Sequence, residues 1–257
     1  MTNPAPPAAG IFTVAEYAYV TPTAATTHSV PPGSAPPQVG KMAICFAAID
    51  FATSAAPALT GVQNAQSTRL GPTPGVAMLS GTMAPDPLHF PAAPLGDSDT
   101  VAHTAVHAGV LMDWDATKWT TIVSPAFSAL ATNPGQTFIN TTGSGGAKNI
   151  VAFAYHEAAA RTYNLAGIPN VTIIGQHGPD TAGVRLDLLM VDGNIPITGI
   201  PFTPALVNHA LSAMATVWPQ TDLVTPPMRL GPATCPCLAG FHDQLVNQGV
   251  QNPWVLP

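Results

Sequence analysis

Charged side chains are scarce in this sequence, and the scarcity limits what the protein does. They make up 8% of the 257 residues, where about 25% is typical of globular proteins. The only glutamates are Glu16 and Glu157. A free cytosolic monomer normally keeps about 25–35% of its surface charged. A chain without those charges is expected to have much of its surface covered by partners, and self-assembly is the most economical way to cover it.

Clustered positive charge is also missing. The net charge is −6, and nucleic-acid binding draws most of its affinity from grouped cations that displace counterions from phosphates. The seven cationic residues are spread singly along the chain: Lys41, Arg69, Lys118, Lys148, Arg161, Arg185 and Arg229. Direct nucleic-acid binding by one subunit is therefore disfavoured.

Export and membrane signals are lacking as well. Three cysteines, an odd number, do not make a disulfide framework. The first residues have neither the basic nor the apolar region of a signal peptide. The most apolar early stretch, Met42–Phe51, is too short to span a bilayer. We therefore expect cytoplasmic synthesis, no membrane span, and a final location in a virion or an intracellular particle.

Proline is abundant, with 29 residues, and much of it lies in residues 1–40. Between the proline clusters, Phe12–Val20 alternates in the way a strand does. Residues 1–40 are therefore predicted to form an extended arm with one strand in it, suited to lying across a neighbouring subunit. Residues 41–257 are predicted to form a single α+β domain, or to divide again near residue 115.

The domain is predicted to change character halfway along. The first half is β-rich, with strands over 42–51, 75–82, 101–114 and 118–123. The second half alternates strands with helices. Its strands are placed at 137–140, 171–175 and 184–191. Its helices are placed at 124–132, 147–166, 203–218 and 239–247, because Ser124-Pro125 and Thr203-Pro204 resemble helix starts and residues 150–165 carry small apolar side chains at helical spacing.

A glycine-rich loop is the first candidate ligand site. Gly143, Ser144, Gly145 and Gly146 precede the helix predicted at 147–166, whose free N–H groups could hold a phosphate with Lys148 as the counter-charge. No Gly-Lys-Ser/Thr follows the loop, so the P-loop pattern is not met. A flexible glycine turn explains the same residues equally well.

Histidine is the second candidate for chemistry. His103 and His107 have the spacing of metal ligands on a helix, but on a strand four residues span about 13 Å, which excludes a shared ion. His156, His177 and Asp180 could form a metal or acid–base set at the predicted strand edge, although a single histidine of this kind is more often a structural or interface residue. Cys235-Pro-Cys237 lacks the spacing of a zinc pair.

No strong catalytic motif is present, and no cofactor is predicted. The leading hypothesis is a structural, self-assembling protein, such as a coat, capsid, shell or scaffold subunit, whose partners are copies of itself in a large homo-oligomer or other coat subunits. The expectation leans away from an enzyme. The alternative is an enzyme or a phosphate- or metal-binding protein with its site at the glycine loop and the His177–Asp180 edge.

Overall fold

Strands are the only regular elements in the part of the chain that the computed structural model describes, which is residues 14–31, 41–50, 55–70, 75–83, 95–113, 119–130, 148–168, 170–192, 200–203 and 210–219. All of these residues belong to one compact unit, Met1–Gln220. The strands are β1 (Val14–Val20), β2 (Ala25–Ser29), β3 (Lys41–Asp50), β4 (Ala58–Thr60), β5 (Gln63–Leu70), β6 (Val76–Met83), β7 (Gly96–His103), β8 (Ala105–Asp113), β9 (Trp119–Leu130), β10 (Lys148–His156), β11 (Thr162–Tyr163), β12 (Val171–His177), β13 (Val184–Asp192), β14 (Phe202–Thr203) and β15 (Ala210–Pro219).

Two five-stranded sheets form the body of the fold. The first has the order β1-β8-β3-β6-β5 and the second the order β12-β13-β10-β15-β9. Every neighbouring pair in both sheets is antiparallel. Two smaller sheets, β2-β7-β4 and β11-β14, accompany them.

The inner faces of the two large sheets bury one another. Successive side chains on a strand point to opposite faces, so Phe46 of β3 and Ala152 of β10 lie in the shared core while their neighbours point away from it. The shared core takes side chains from β3, β6 and β8 of the first sheet and from β10, β13 and β15 of the second. The architecture is an antiparallel β-sandwich.

The outer faces of the central strands of both large sheets are buried too. Cys45 and Ala47 of β3 lie in a second cluster with Val30, Leu59 and Leu95, residues from the region of the sheet β2-β7-β4. Phe153 of β10 lies in a third cluster together with side chains from residues 163–171 and 200–202. The central strands are therefore covered on both sides, and their sequences read as continuous apolar runs.

This two-sided burial explains why the α+β prediction is wrong. The helix predicted at 147–166 is strand β10 followed by an irregular segment and β11. In β10 the inner residues Ile150, Ala152 and Ala154 alternate with outer residues that are also apolar, so the polar–apolar alternation that identifies a strand is lost. An apolar run of this kind cannot be told from a buried helix by periodicity alone.

The two proline-based helix predictions are wrong for a different reason. The helix predicted at 124–132 lies in β9, where the pairing with β15 slips between Met214 and Thr216, opposite Ser124-Pro125. A proline is tolerated in a sheet at an edge strand or a bulge, and Pro125 occupies both. In place of the helix predicted at 203–218, the described residues contain β14 and β15. The segments predicted at 137–140 and 239–247 lie outside the described residues.

Several predicted strands are confirmed with small shifts of their ends. The strand predicted in the arm, Phe12–Val20, is β1, and it pairs with β8 at the edge of the first sheet. The segments predicted at 42–51, 75–82, 171–175 and 184–191 are β3, β6, β12 and β13. Among the described residues there is no helix at all, hence none long and apolar enough to cross a membrane.

Cys45 provides a test of the outer face of the first sheet. Its thiol is fully buried, and burial raises its pKa to about 12. Because the thiolate is the reactive form, we expect iodoacetamide to leave Cys45 unmodified in the native protein and to modify it in denaturant, as read by peptide mass spectrometry. Modification of Cys45 at the rate of a free thiol in native buffer would contradict the buried position.

Candidate functional site: three histidines around Asp97

A cluster of buried histidine and aspartate side chains lies between the first large sheet and the small sheet that covers it. Asp97 and His103 are on β7, and the β2–β7 register places His28 directly opposite Asp97. His107 comes from β8, on the face opposite to that of Val106 and Ala108, which lie in the shared core. Three strands thus bring these side chains together.

All three histidines contact one carboxylate. His28 Nδ1 lies 2.9 Å and His103 Nε2 lies 2.6 Å from the same oxygen, Asp97 Oδ1. His107 Nε2 lies 2.6 Å from the other oxygen, Oδ2. The side chains of Asp97, His103 and His107 are 0% exposed and that of His28 is 8% exposed. The cluster is therefore a buried site with His28 on its more accessible side.

In His28 and His103, the ring nitrogen that does not face Asp97 contacts a backbone carbonyl group. His28 Nε2 lies 3.1 Å from the Thr23 carbonyl oxygen, and His103 Nδ1 lies 3.0 Å from the Val101 carbonyl oxygen. A carbonyl oxygen only accepts hydrogen bonds, so each of these ring nitrogens carries the hydrogen. The far nitrogen of His107, Nδ1, is buried and has no hydrogen-bond partner among the described residues.

The cluster shifts the charge states of its members. Burial raises the pKa of the Asp97 carboxyl, but the hydrogen bonds from the histidines outweigh it and hold that pKa well below its ordinary value. Burial lowers the pKa of His103, but the hydrogen bonds to Asp97 and to the Val101 carbonyl outweigh it, so the net pKa is raised. A negative carboxylate surrounded by imidazole rings is thus the state that the surroundings favour.

Local sequence explains why the strands approach so closely here. A Cβ on Gly96 would lie 2.0 Å from the carbonyl oxygen of His28, so only glycine permits β2 to sit against β7 at this point. Asp99 accepts hydrogen bonds from the backbone N–H groups of Ala55 and Ala56. These contacts fix the segment before β4 against β7 and leave Asp97 as the carboxylate that faces the histidines.

The strand argument excluded a metal ion shared by His103 and His107, and the described ligand atoms that converge do not include those of His107. It assumed one strand over 101–114, whereas β7 ends at His103 and β8 begins at Ala105. The chain passes from the small sheet into the large one at Thr104, whose hydroxyl donates to Asp180 Oδ2 at 2.8 Å. The break brings both histidines to one carboxylate, and His28 joins them from 69 residues away from Asp97.

The first set of sequence-predicted site residues is only partly described. Gly143, Ser144, Gly145 and Gly146 lie outside the described residues, so a phosphate site there stays a prediction. Lys148 is the first residue of β10 and not part of a helix. It faces Asp192 across the β10–β13 pair and forms an ion pair with it.

The second predicted set, His156, His177 and Asp180, has a different partner for each member. His156 Nε2 lies 3.9 Å from Asp50 Oδ1, and His177 contacts Glu16. Asp180 Oδ1 accepts from the N–H groups of Ala182 and Val184 at 2.9 Å, which shapes the turn between β12 and β13. Within the described residues, the metal-ligating atoms that converge belong to His28, Asp97 and His103.

A second buried carboxylate, Asp187, lies on the outer face of the second large sheet. Its Oδ2 accepts from Tyr163 Oη at 2.8 Å, from Gln176 Nε2 at 2.9 Å and from Tyr155 Oη at 3.0 Å. Its Oδ1 is buried with no partner among the described residues. Burial raises the pKa of Asp187, and the hydrogen bonds only partly offset it.

This raised pKa gives stability a definite pH dependence. In the unfolded chain Asp187 titrates near 3.8. Since its folded-state pKa is higher, the contribution of Asp187 is fully present below 3.8 and is lost as the pH rises through the folded-state pKa. We expect Asp187→Asn to gain stability relative to the parent as the pH rises from about 3 to 7, measured by urea unfolding.

The matched control for that experiment is Asp192→Asn, which removes the same charge from a side chain that is 52% exposed. Subtracting the control isolates the effect of burial from that of net charge. If Asp187→Asn does not gain stability relative to the parent as the pH rises, Asp187 is not held in a desolvated site.

Comparison with known proteins leaves the site to be interpreted from its own chemistry. No protein-family profile matches the chain, and neither the curated proteins nor the solved structures contain a significant match.

Proposed function

We propose that this chain is a structural subunit that assembles with copies of itself, as the subunits of a coat, capsid, shell or scaffold do. The observation that carries the proposal is the scarcity of charge on two described edge strands, β5 with a single arginine and β12 with no charged residue, in a chain that has very little charge elsewhere. Natural proteins usually guard such edges with charged residues, because the unpaired N–H and C=O groups of an edge strand are a template for another strand.

The surface has even less charge than the composition suggests. At least six of the twenty charged side chains are buried: Asp50, Asp97, Asp99, Arg161, Asp180 and Asp187. At most fourteen remain for the surface of a 26.3 kDa chain. Charge repulsion that would keep copies of the chain apart is correspondingly weak.

Strand β5 is the edge best suited to pairing. It closes one side of the first sheet, and six of its eight residues are exposed. Its one charged side chain, Arg69, already donates to the Ala55 carbonyl of its own chain at 2.6 Å. The pairing with β6 slips between Gln63 and Gln66 but is regular from Gln66 to Leu70, so five residues present an even edge.

Strand β12 presents a similar edge on the second sheet. It lies at the end of the strand order and contains no aspartate, glutamate, lysine or arginine. Ile173, in its middle, is 38% exposed. A bulge between Ile173 and Gly175 interrupts its pairing with β13. Bulges themselves protect edges. The irregularity in β5 lies near one end and leaves five regular residues, whereas that in β12 lies in the middle, so β5 is the stronger candidate for the interface.

A lysine placed on β5 tests the proposed contact. Ser67 is exposed in the regular part of the strand, and Ser67→Lys adds a charge that must be desolvated if a second strand pairs there. We expect the variant to sediment as smaller species than the parent at equal concentration. Ala159→Lys adds the same charge at an exposed position between β10 and β11 and is expected to leave the assembly unchanged.

The two variants separate edge pairing from a general effect of charge. Equal dissociation by Ser67→Lys and Ala159→Lys would mean that net charge controls the association. Unchanged assembly of Ser67→Lys would remove β5 from the interface. Circular dichroism of both variants checks that the sandwich is intact.

A further inference from the structure

We propose that His28, His103 and Asp97 bind one divalent transition-metal ion of the zinc class, with His107 as the residue that positions the carboxylate. This site is independent of the proposed assembly function. It would join the small sheet β2-β7-β4, which supplies all three ligands, to the first large sheet, which supplies His107.

The hydrogen bonds of His28 and His103 show which nitrogen of each ring is directed at the proposed metal position. His28 Nε2 and His103 Nδ1 each face a backbone carbonyl and therefore hold the ring hydrogen. In a neutral imidazole the other nitrogen is then an acceptor with a free lone pair. Those two nitrogens, His28 Nδ1 and His103 Nε2, both point at Asp97 Oδ1. Once the ring protons that face Asp97 are removed, three acceptor atoms converge on one place, and a metal cation there satisfies all of them.

This arrangement of far-side partners is itself typical of metal sites. A histidine that binds a metal usually donates its second ring N–H to a carbonyl or carboxylate, which fixes the tautomer and the ring orientation. Both candidate ligand histidines have such a carbonyl, at 3.1 and 3.0 Å. Metal binding requires the ring nitrogen that faces Asp97 to be without a proton, so the ion would replace the proton shared with the carboxylate.

The distances fit a tetrahedral ion after a small expansion. Metal–donor bonds of about 2.0–2.1 Å place neighbouring donor atoms roughly 3.3 Å apart in a tetrahedron. The donor atoms of the three residues lie within 4.8 Å of one another, and the two nitrogens are 2.9 and 2.6 Å from Oδ1. To admit the ion, the two nitrogen–Oδ1 distances would lengthen by less than 1 Å, and the two nitrogens, which lie within 4.8 Å of each other, would settle about 3.3 Å apart.

The donor set selects the kind of ion. Two imidazole nitrogens and one carboxylate oxygen suit zinc, copper, iron or nickel, whereas magnesium and calcium prefer sites made of oxygen alone. Three protein ligands leave one tetrahedral position for water or another ligand. His28, whose side chain is the one with residual exposure, gives the ion its path of entry.

His107 completes the site without being a ligand. Its Nε2 lies 2.6 Å from Asp97 Oδ2, and in the tautomer with hydrogen on Nε2 it donates to that oxygen. The carboxylate is then held with Oδ1 directed at the two ligand nitrogens. The buried Nδ1 of His107, which has no partner among the described residues, is an acceptor in this tautomer and carries no unused hydrogen.

The test is zinc binding by the full chain after dialysis against a chelator. Isothermal titration and native mass spectrometry are expected to give one tightly bound Zn²⁺ per chain, with a rise in the thermal unfolding temperature. His28→Gln is expected to weaken binding more than 10-fold. His107→Gln is expected to keep the one-to-one stoichiometry while weakening binding about 10–100-fold, the effect of removing a residue that orients a ligand.

The control is His177→Gln, which removes a histidine that contacts Glu16 and lies outside the cluster. It is expected to bind zinc as the parent does. Failure of the parent to bind zinc stoichiometrically would overturn the proposal, and this result does not depend on any variant folding correctly. Equal affinity of His28→Gln and the parent would likewise show that the bound zinc lies elsewhere.

Discussion

Asp97→Ala is expected to lower the free energy of unfolding by about 3–5 kcal/mol, the usual cost of removing one partner from a buried charge cluster. Three histidines place a ring nitrogen within 2.9 Å of this carboxylate. Without it, His103 and His107, both with fully buried side chains, keep polar nitrogens in a dry site with no acceptor. Urea unfolding at neutral pH with a chelator present measures the loss without any contribution from metal.

The control for this prediction is Asp192→Ala. Asp192 pairs with Lys148, but its side chain is 52% exposed, and exposed ion pairs contribute only about 0–1 kcal/mol. A loss for Asp97→Ala no larger than that for Asp192→Ala would mean that the histidine cluster does not hold β2 and β7 together.

Phe153→Ala is expected to cost about 3–5 kcal/mol, as much as Phe46→Ala. Phe46 lies between the two large sheets, whereas Phe153 lies on the opposite side of the second sheet, packed 5.2 Å from Phe202 between ring centroids. Both side chains are 0% exposed. Equal costs are expected only if the sandwich is covered on its outer face as well.

The cost of Phe153→Ala also distinguishes strand β10 from the helix predicted over 147–166. On that helix, the apolar face runs through Val151, Ala154 and Tyr155 and leaves Phe153 to one side. Ile173→Ala, at a position that is 38% exposed, is the reference for truncation of a partly exposed side chain. A cost for Phe153→Ala close to that of Ile173→Ala would contradict burial of the outer face.

The sequence predicts those strands well whose ends are marked by polar or turn residues. β1 lies within a few residues of its predicted position because its residues alternate, and β13 does so because Asp192-Gly193 marks its end. The helices were mispredicted where alternation vanishes, as in β10, since inner and outer faces are both apolar. Pro125 reads as a helix start in isolation, and only its place at a bulge of an edge strand explains it.

The candidate site was less predictable than the fold. The spacing of His103 and His107 is recognisable in the sequence. Their joint contact with Asp97 depends on the change of strand at Thr104, and no glycine or proline marks that position. No sequence motif marks Asp97, and His28 lies within the arm predicted over residues 1–40. The contact between β2 and β7 is long-range, so no local spacing could have joined His28 to Asp97. The eight histidines of the chain are the only sequence signal for such a cluster.

The proposal of self-assembly is tested most directly by the mass of the native particle. Sedimentation velocity and light scattering of the purified full chain over a wide range of concentrations are expected to give discrete species at multiples of the 26.3 kDa chain mass, and electron microscopy should show particles of regular size. A single species of 26.3 kDa at every concentration would contradict the account.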